Sequence, residues 1–217
     1  MNTPTNRHYD ELSAAYDHFN RELFEGRLPL CLLTMQRKNK AYGYFAGGRF
    51  GSRDGANVTD EIALNPSHFR ERTVEQSLST LVHEMTHVEQ HHFGKPSRAG
   101  YHNKEWAGLM RCVGLIPTDT GHPGGKETGQ AVTHYIEPNG RFQASCAALI
   151  AGGFNLPFVE LWDEQEGKTR AKKAASKTKF SCPSCDANAW AKPDANLICG
   201  DCHETMKAEE GEEADDG

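Results

Sequence analysis

The sequence predicts an α+β fold, in which a small mixed sheet packs on a histidine-bearing helix and a small cysteine-rich module follows. Three observations predict this arrangement. Residues 74–88 carry apolar side chains at helical spacing, residues 30–65 contain short runs typical of strands, and residues 182–202 contain two Cys-x-x-Cys pairs. In a chain of 217 residues, the natural division is one domain, 1–162, and a short appendage.

The first element is predicted to be an amphipathic helix that ends at Gly26 and Pro29. Its apolar face comprises Tyr9, Leu12, Tyr16, Phe19 and Leu23. Short apolar runs at 30–36, 41–45 and 62–65 then predict three strands of a small sheet.

The next predicted helix carries the run His83-Glu84-Met85-Thr86-His87. Thr73 and Gln76 predict a capping box at its start, and Gly94 and Pro96 predict its end. Two histidines four residues apart share one helix face and can bind one metal ion, and the glutamate between them lies within reach of water at that metal. The run is therefore typical of a zinc hydrolase.

A catalytic zinc needs a third protein ligand and one open coordination position. His102 is the candidate, because it follows a glycine-containing loop and precedes a second predicted helix, which Asn103 caps and Gly114 ends. The apolar face of that helix comprises Trp106, Leu109, Met110 and Val113. The competing histidines are His91, His92, His122 and His134.

The run at 83–87, followed after fourteen residues by His102 and the segment 103–106 (Asn-Lys-Glu-Trp), resembles the SprT-like zinc metallopeptidases, which include the Spartan protease. Residues 19–29 are similar to that family's opening helix and turn, and residues 43–45 and 62–65 to the two strands before its metal helix. The resemblance covers residues 8–116 and departs at Asn103, where glycine is common.

The resemblance implies a zincin-type fold and zinc-dependent cleavage of peptide bonds. Carried over by residue, His83, His87 and His102 are the zinc ligands and Glu84 is the general base. It also implies protein substrates that are DNA-associated or DNA-crosslinked. The candidates for an oxyanion donor are Tyr42, Tyr44, Tyr101, His134 and Tyr135.

Two other function classes stay open. One is a non-catalytic, zinc-containing nucleic-acid-binding protein, against which the intact Glu84 argues, since a structural zinc site has no need of that carboxylate. The other is a metallohydrolase that acts on a non-peptide bond.

A second metal pattern stands near the end of the chain. Two pairs with thirteen residues between them are typical of a zinc ribbon at 182–207, in which four thiolates bind one structural zinc. The ligands are Cys182, Cys185, Cys199 and Cys202. The segments 189–192 and 196–198 are predicted to be short strands, and metal binding is expected to supply the folding energy of so small a module. The chain is thus expected to bind two zinc ions, one catalytic and one structural.

The ribbon is flanked by charged segments. Residues 163–181 are predicted to be a flexible linker, with basic side chains at Lys168, Arg170, Lys172, Lys173, Lys177 and Lys179. Residues 208–217 are predicted to be an acidic, disordered tail, and their six acidic residues account for the whole net charge of −6. The linker, Trp190 and Lys192 suit contact with single-stranded or damaged DNA, although Trp190 could equally form the small core of the ribbon.

The remaining segments carry weaker signals. Residues 117–130 are predicted to be a long loop, followed by a strand at 132–136 and a helix at 144–150. Cys31, Cys112 and Cys146 are predicted to be buried thiols. No run of eighteen apolar residues occurs and the N-terminal residues are polar, so we expect no membrane partner and a cytoplasmic location, at the nucleoid if DNA is bound.

Overall fold

The computed structural model describes residues 3–161 and 177–208. The chain divides into two compact units, Met1–Leu161 and Trp162–Gly217. The described residues form four α-helices and three small β-sheets, so the predicted mixed α+β class is confirmed. Most of the predicted linker and nearly all of the predicted acidic tail lie outside the described residues. Within the described ranges, no helix has the length and apolar character needed to cross a membrane.

The first helix, α1 (Pro4–Phe24), begins before its apolar repeat because Thr3 caps it, accepting a hydrogen bond from the Asn6 N–H at 3.2 Å. Its predicted apolar face is buried except at Tyr9, which is partly buried against the same core. The helix ends as predicted beside Gly26, whose φ of +72° lies in the left-handed region that glycine tolerates.

A three-stranded mixed sheet follows. It contains β1 (Leu32–Met35), β2 (Gly43–Gly51) and β3 (Val58–Leu64) in the order β1-β3-β2. The central strand β3 is parallel to β1 and antiparallel to β2, which leaves β2 at an edge. The second strand is longer than predicted, because its glycines give little strand signal in sequence.

The helix α2 (Val74–Phe93) begins at the predicted capping box, with both reciprocal bonds present. The Gln76 N–H donates to the Thr73 hydroxyl at 3.1 Å, and the Thr73 N–H donates to the Gln76 side chain at 3.0 Å. The apolar side of the helix is buried, except at the partly buried Val74, and contacts β2 and β3. This contact places the residues at 83–87 beside the edge strand.

The helix α3 (Lys104–Cys112) is capped as predicted by Asn103, whose side-chain oxygen accepts from the Trp106 N–H at 2.9 Å. Trp106 and Met110 are completely buried. The prediction that Cys112 is buried is wrong, because Cys112 lies two residues past Met110 and therefore on the opposite, exposed side of the helix. Cys146 is buried, and Cys31 is only partly so.

A two-stranded sheet of β4 (Leu115–Thr118) and β5 (Thr133–Ile136) follows, and then the helix α4 (Arg141–Ala151). The strand β4 corrects the prediction that a loop begins at residue 117. Pro117 suggested a loop, yet both strands of a two-stranded sheet are edges, where proline is tolerated. The loop proper runs from residue 119 to the start of β5.

The second unit has its own sheet, with β6 (Thr178–Ser181), β7 (Asn188–Ala191) and β8 (Lys207–Ala208) in the order β7-β6-β8. Its buried core comprises Phe180, Cys182, Cys199 and Met206. The predicted strand at 189–192 is found, whereas the one at 196–198 is reduced to an isolated bridge between Ile198 and Thr205.

Candidate metal centre

Three of the predicted site residues converge on one point of the first unit. His83 and His87 project from α2, and His102 precedes α3, with one potential ligand atom of each within 4.8 Å of the others. The Nε2 atoms of His87 and His102 are 3.2 Å apart. Two ligands of one tetrahedral zinc, with bonds of about 2.0–2.1 Å, are separated by roughly 3.3–3.4 Å. The spacing of these two imidazoles therefore fits a shared metal ion.

His102 is held by a loop that sequence reasoning could not connect to the site. Its backbone N–H donates to the Gly129 carbonyl at 2.8 Å, and the Gly129 N–H donates back at 3.0 Å. The His102 Nδ1 also lies 3.2 Å from the Gly129 oxygen, to which it donates. Because Nδ1 carries that proton, Nε2 keeps the lone pair that a metal requires.

A chain of hydrogen bonds orients His83 in the same way. The Ser79 hydroxyl donates to the Gln76 carbonyl at 2.8 Å, so its oxygen accepts from the His134 Nε2, which is 2.9 Å away. The His134 Nδ1 is then the acceptor for the His83 Nδ1–H at 3.1 Å. This assignment leaves the Nε2 of His83 free for a metal.

His134 therefore lies behind His83 and outside the group of three. Sequence reasoning considered it as a ligand or an oxyanion donor and missed Ser79 altogether. Ser79 stands four residues before His83, on the same helix face, which is the signal that could have found it.

Burial keeps these imidazoles neutral. It lowers the pKa of His87 and that of His134 to about 3, and it lowers the pKa of His83 well below its usual value. The pKa of His102 is also lowered by burial. Histidine binds metal only in its neutral form, so these three side chains could bind a cation at neutral pH.

One face of the centre is closed by Trp106, which is 0% exposed. Its ring stacks on His87 with centroids 5.1 Å apart and lies 4.2 Å from His102 and 4.9 Å from His83. The buried indole fixes all three rings from one side and excludes water there.

Glu84 lies beside the histidines, against the edge strand β2. A Cβ on Gly43 would lie 3.0 Å from Thr80 Cγ2 and 3.3 Å from Glu84 Oε1, both on α2, so the missing side chain lets β2 approach α2 this closely. Burial raises the pKa of Glu84 to about 8, against the opposing effects of Lys38 and of a hydrogen bond from the Phe45 N–H. A divalent cation at the histidines would lower this pKa again.

The centre opens into a cleft of about 900 Å³. Its walls are β2, the segments 96–102 and 130–134, and one side of α2, with His83, Glu84 and His87 on that side. Of the proposed oxyanion donors, Tyr42, Tyr44, Tyr101 and His134 line this cleft, whereas Tyr135 lies outside its lining. Tyr44 donates its hydroxyl hydrogen to the buried Glu61 at 3.1 Å, and Tyr101 is 37% exposed.

The remaining competitors for the third ligand position do not join the group. His91 and His92 lie at the end of α2, in a separate cluster with Asp60, and His122 is exposed in the loop after β4.

In the second unit, the four predicted cysteines come together, with their sulfur atoms within 4.8 Å of one another. The sulfur atoms of Cys185 and Cys199 are 3.6 Å apart. The cluster is compatible with a zinc ribbon.

Both cysteine pairs have the same backbone turn. The Asp186 N–H donates to the Cys182 carbonyl at 3.0 Å, and the His203 N–H donates to the Cys199 carbonyl at 2.9 Å. Asp186 and His203 each have φ of +57°. Within the second turn, hydrogen bonds from the backbone N–H groups of Cys202 and Asp201 lower the pKa of Cys199 to about 7. Such turns direct N–H groups at the sulfur and stabilise the thiolate that binds metal.

The described residues thus contain a partly buried three-histidine group beside a glutamate, and a four-cysteine group. Comparison with known proteins identifies the family. The SprT-like family matches residues 12–123, slightly more than half of the chain, and the chain belongs to this family. The matched segment contains His83, Glu84, His87 and His102 and ends before Cys182, the first cysteine of the four-cysteine group.

One relative matches over a shorter stretch. An uncharacterised protein from the mucB 3′ region of Salmonella typhimurium is 48% identical over 62 residues, which is 29% of this chain and 84% of that protein. No solved structure matches the chain.

Proposed function

We propose that this protein is a zinc-dependent metalloendopeptidase in which His83, His87 and His102 hold the zinc and Glu84 is the general base. One observation carries the proposal. Neutral imidazoles, two of them fixed by hydrogen bonds that leave Nε2 free, converge beside a buried carboxylate at the wall of an open cleft. Membership of the SprT-like family, which is metallopeptidase-like, supports the same reaction class.

The chain's own residues suit the steps of peptide hydrolysis. When bound, zinc supplies a Lewis acid that polarises the scissile carbonyl and lowers the pKa of water. Glu84 takes a proton from the attacking water on its carboxylate and delivers it to the leaving amine. Trp106 keeps bulk water from one side of the histidines. Tyr101, which lines the same cleft and is exposed, is our candidate for the donor that stabilises the developing oxyanion.

The edge strand favours a peptide over a non-peptide substrate. In the three-stranded sheet, β2 pairs with β3 on one side only, and residues 43–47 of β2 line the cleft next to Glu84. An extended peptide can add to such an edge through backbone hydrogen bonds, which positions successive peptide bonds along the cleft.

The test replaces Glu84 by Gln, which preserves the size of the side chain and removes its basicity. Cleavage of a denatured, dye-labelled protein by the zinc-loaded chain should fall roughly 10²–10⁴-fold, the usual contribution of a general base, while the zinc content is unchanged. Glu71→Gln, at an exposed glutamate just before α2, is the matched control and should cleave like the wild type. Equal cleavage by Glu84→Gln and wild type would refute the assignment.

We further propose that the cysteine cluster is a zinc ribbon and that its sheet contacts single-stranded DNA, which would bring the peptidase to DNA-associated proteins. Trp190 on β7 is 62% exposed and pairs in register with Lys179 on β6. Because Phe180 is buried in the unit's core, the adjacent Lys179 points to the other face of the sheet. An aromatic ring beside a basic side chain suits stacking on a base and contact with phosphate.

Trp190→Ala should weaken binding of an oligo(dT) strand by about 5–150-fold, since a stacked base contributes roughly 1–3 kcal/mol. Ile198→Ala, at an exposed apolar residue of the same unit, serves as the control and should bind like wild type. Fluorescence anisotropy at several salt concentrations measures both variants. If Trp190→Ala binds like Ile198→Ala, the second unit contacts something other than nucleic acid.

A further inference from the structure

A third group of side chains that could bind a metal lies at the far end of α2, one turn beyond His87. It comprises Asp60 on β3 together with His91 and His92, and one ligand atom of each lies within 4.8 Å of the others. The group shares no residue with the three-histidine centre. The peptidase mechanism makes no use of it.

Asp60 is buried and its carboxylate is held in a fixed orientation. One oxygen accepts from the Gly48 N–H at 2.7 Å, and the other lies 2.6 Å from His92 Nε2. Burial acts to raise the pKa of Asp60, but the hydrogen bonds from His92 and Gly48 lower it overall, so the group is ionised at neutral pH. A buried anion oriented by a backbone N–H is typical of a carboxylate that binds a cation.

The ring of His91 occupies the space that Gly47 on β2 leaves free. A Cβ on Gly47 would lie only 2.7 Å from His91 Cε1, and the edge of Phe45 packs on the same ring with centroids 5.4 Å apart. The rings of His91 and His92 are 4.9 Å apart, and both residues are exposed. Solvent therefore reaches both imidazoles, while one side of the His91 ring is fixed by the sheet.

We propose that Asp60, His91 and His92 form an additional site for a transition-metal dication such as Zn²⁺, which ties β3 to the last turn of α2. Two imidazoles and one carboxylate are donors that zinc accepts, and the exposed side leaves positions for water. A bound ion would replace the direct Asp60–His92 contact and widen it from 2.6 Å to roughly 3.3 Å. Because His91 also lines the cleft, the ion would order one of its walls. The inference does not depend on peptidase activity.

The experiment counts zinc in the full chain after equilibrium dialysis against micromolar Zn²⁺. Wild type should hold one zinc more than His91→Gln and one more than Asp60→Asn. His122→Gln, at an exposed histidine outside the cluster, should match wild type. His102→Ala should lose a different zinc, so that the double variant His91→Gln/His102→Ala holds two fewer than wild type. The additional site is thus scored separately from the proposed catalytic one.

A second measurement covers the case in which Asp60→Asn fails to fold. Thermal unfolding of the first unit should shift upward with added Zn²⁺ in wild type and less so in His91→Gln, which alters an exposed side chain. If wild type and His91→Gln hold the same number of zinc ions and respond equally to added Zn²⁺, the proposal is overturned and Asp60 and His92 form only an ion pair. The proposal is also overturned if His122→Gln loses one zinc ion, as His91→Gln is expected to do.

Discussion

In the first unit, the hydrophobic core contains none of the three clustered histidines. In the second unit, by contrast, two of the four buried core residues are cysteines of the four-cysteine group. In the first unit, Leu81, Val82, Met85 and Trp106 are 0% exposed and pack without help from a metal. Among the described residues of the second unit, the buried core has only Phe180 and Met206 besides Cys182 and Cys199. So small an apolar core cannot offset the conformational entropy that folding removes.

This difference predicts what a bound metal would do for each unit. Burial keeps the histidines neutral, and hydrogen bonds to His134 and Gly129 orient His83 and His102, and none of these interactions involves a metal. The cysteines approach one another through two short turns, and a metal would supply the attraction that closes them. We therefore expect the first unit to fold without zinc and the second unit to require it.

The largest effect is expected from a substitution in the four-cysteine group. Cys199→Ser should remove one zinc and unfold the second unit, because structural zinc contributes an apparent binding free energy of about 10–16 kcal/mol in small modules. His102→Ala should also remove one zinc but leave the first unit folded. Amide spectra of the ¹⁵N-labelled full chain report both units, through the signals of β6 and β7 and those of α2.

Cys112→Ser provides the control, since Cys112 is exposed and stands outside the cluster. It should retain both the zinc and the folded signals of the second unit. If the second unit stays folded in Cys199→Ser, it does not need zinc to fold, and the predicted difference between the two units is wrong.

The local parts of the histidine centre were predictable from sequence. The capping box of Thr73 and Gln76, the burial of the helix's apolar face and the Asn103 cap all depend on residues three or four apart, where helix geometry fixes the neighbours. Placing His83, Glu84 and His87 on one helix needed nothing more.

The groups that hold the ligands could not be predicted, because they meet only in the folded chain. Gly129 lies 27 residues from His102, and His134 lies 51 residues from His83. The strand β4 was not predicted because proline is uncommon in strands. The segment that contains Pro117 is a strand only because it pairs with β5, which is distant in sequence. Cys112 was misplaced because an apolar neighbourhood in sequence does not say which helix face a residue occupies.

A smaller effect on zinc affinity is expected at His134, which is not itself one of the proposed metal ligands. His134→Ala should lower the zinc affinity of the first unit by about 10–100-fold, the usual effect of removing a hydrogen-bond partner of a metal ligand. The acceptor for the His83 Nδ1–H is lost, so His83 is free to present the wrong nitrogen. Competition with a zinc-binding dye measures the affinity.

Two further replacements separate hydrogen bonding from packing. In His134→Asn the amide oxygen can accept from His83, and the zinc affinity should be largely restored. His134→Leu fills the space without an acceptor and should bind zinc as weakly as His134→Ala. Equal affinity in the Asn and Leu variants would mean that His134 acts only by packing.

The most direct test of preorganisation is the tautomeric state of the histidines in the zinc-free chain. After removal of metal by a chelator, ¹⁵N chemical shifts of the imidazole rings at pH 7 should show His83 and His102 neutral, with the proton on Nδ1. The lowered pKa values require the neutral form, and the hydrogen bonds to His134 and Gly129 place the proton on Nδ1. Imidazolium rings, or protons on Nε2, would show that the histidine site is made by its metal and would contradict the account.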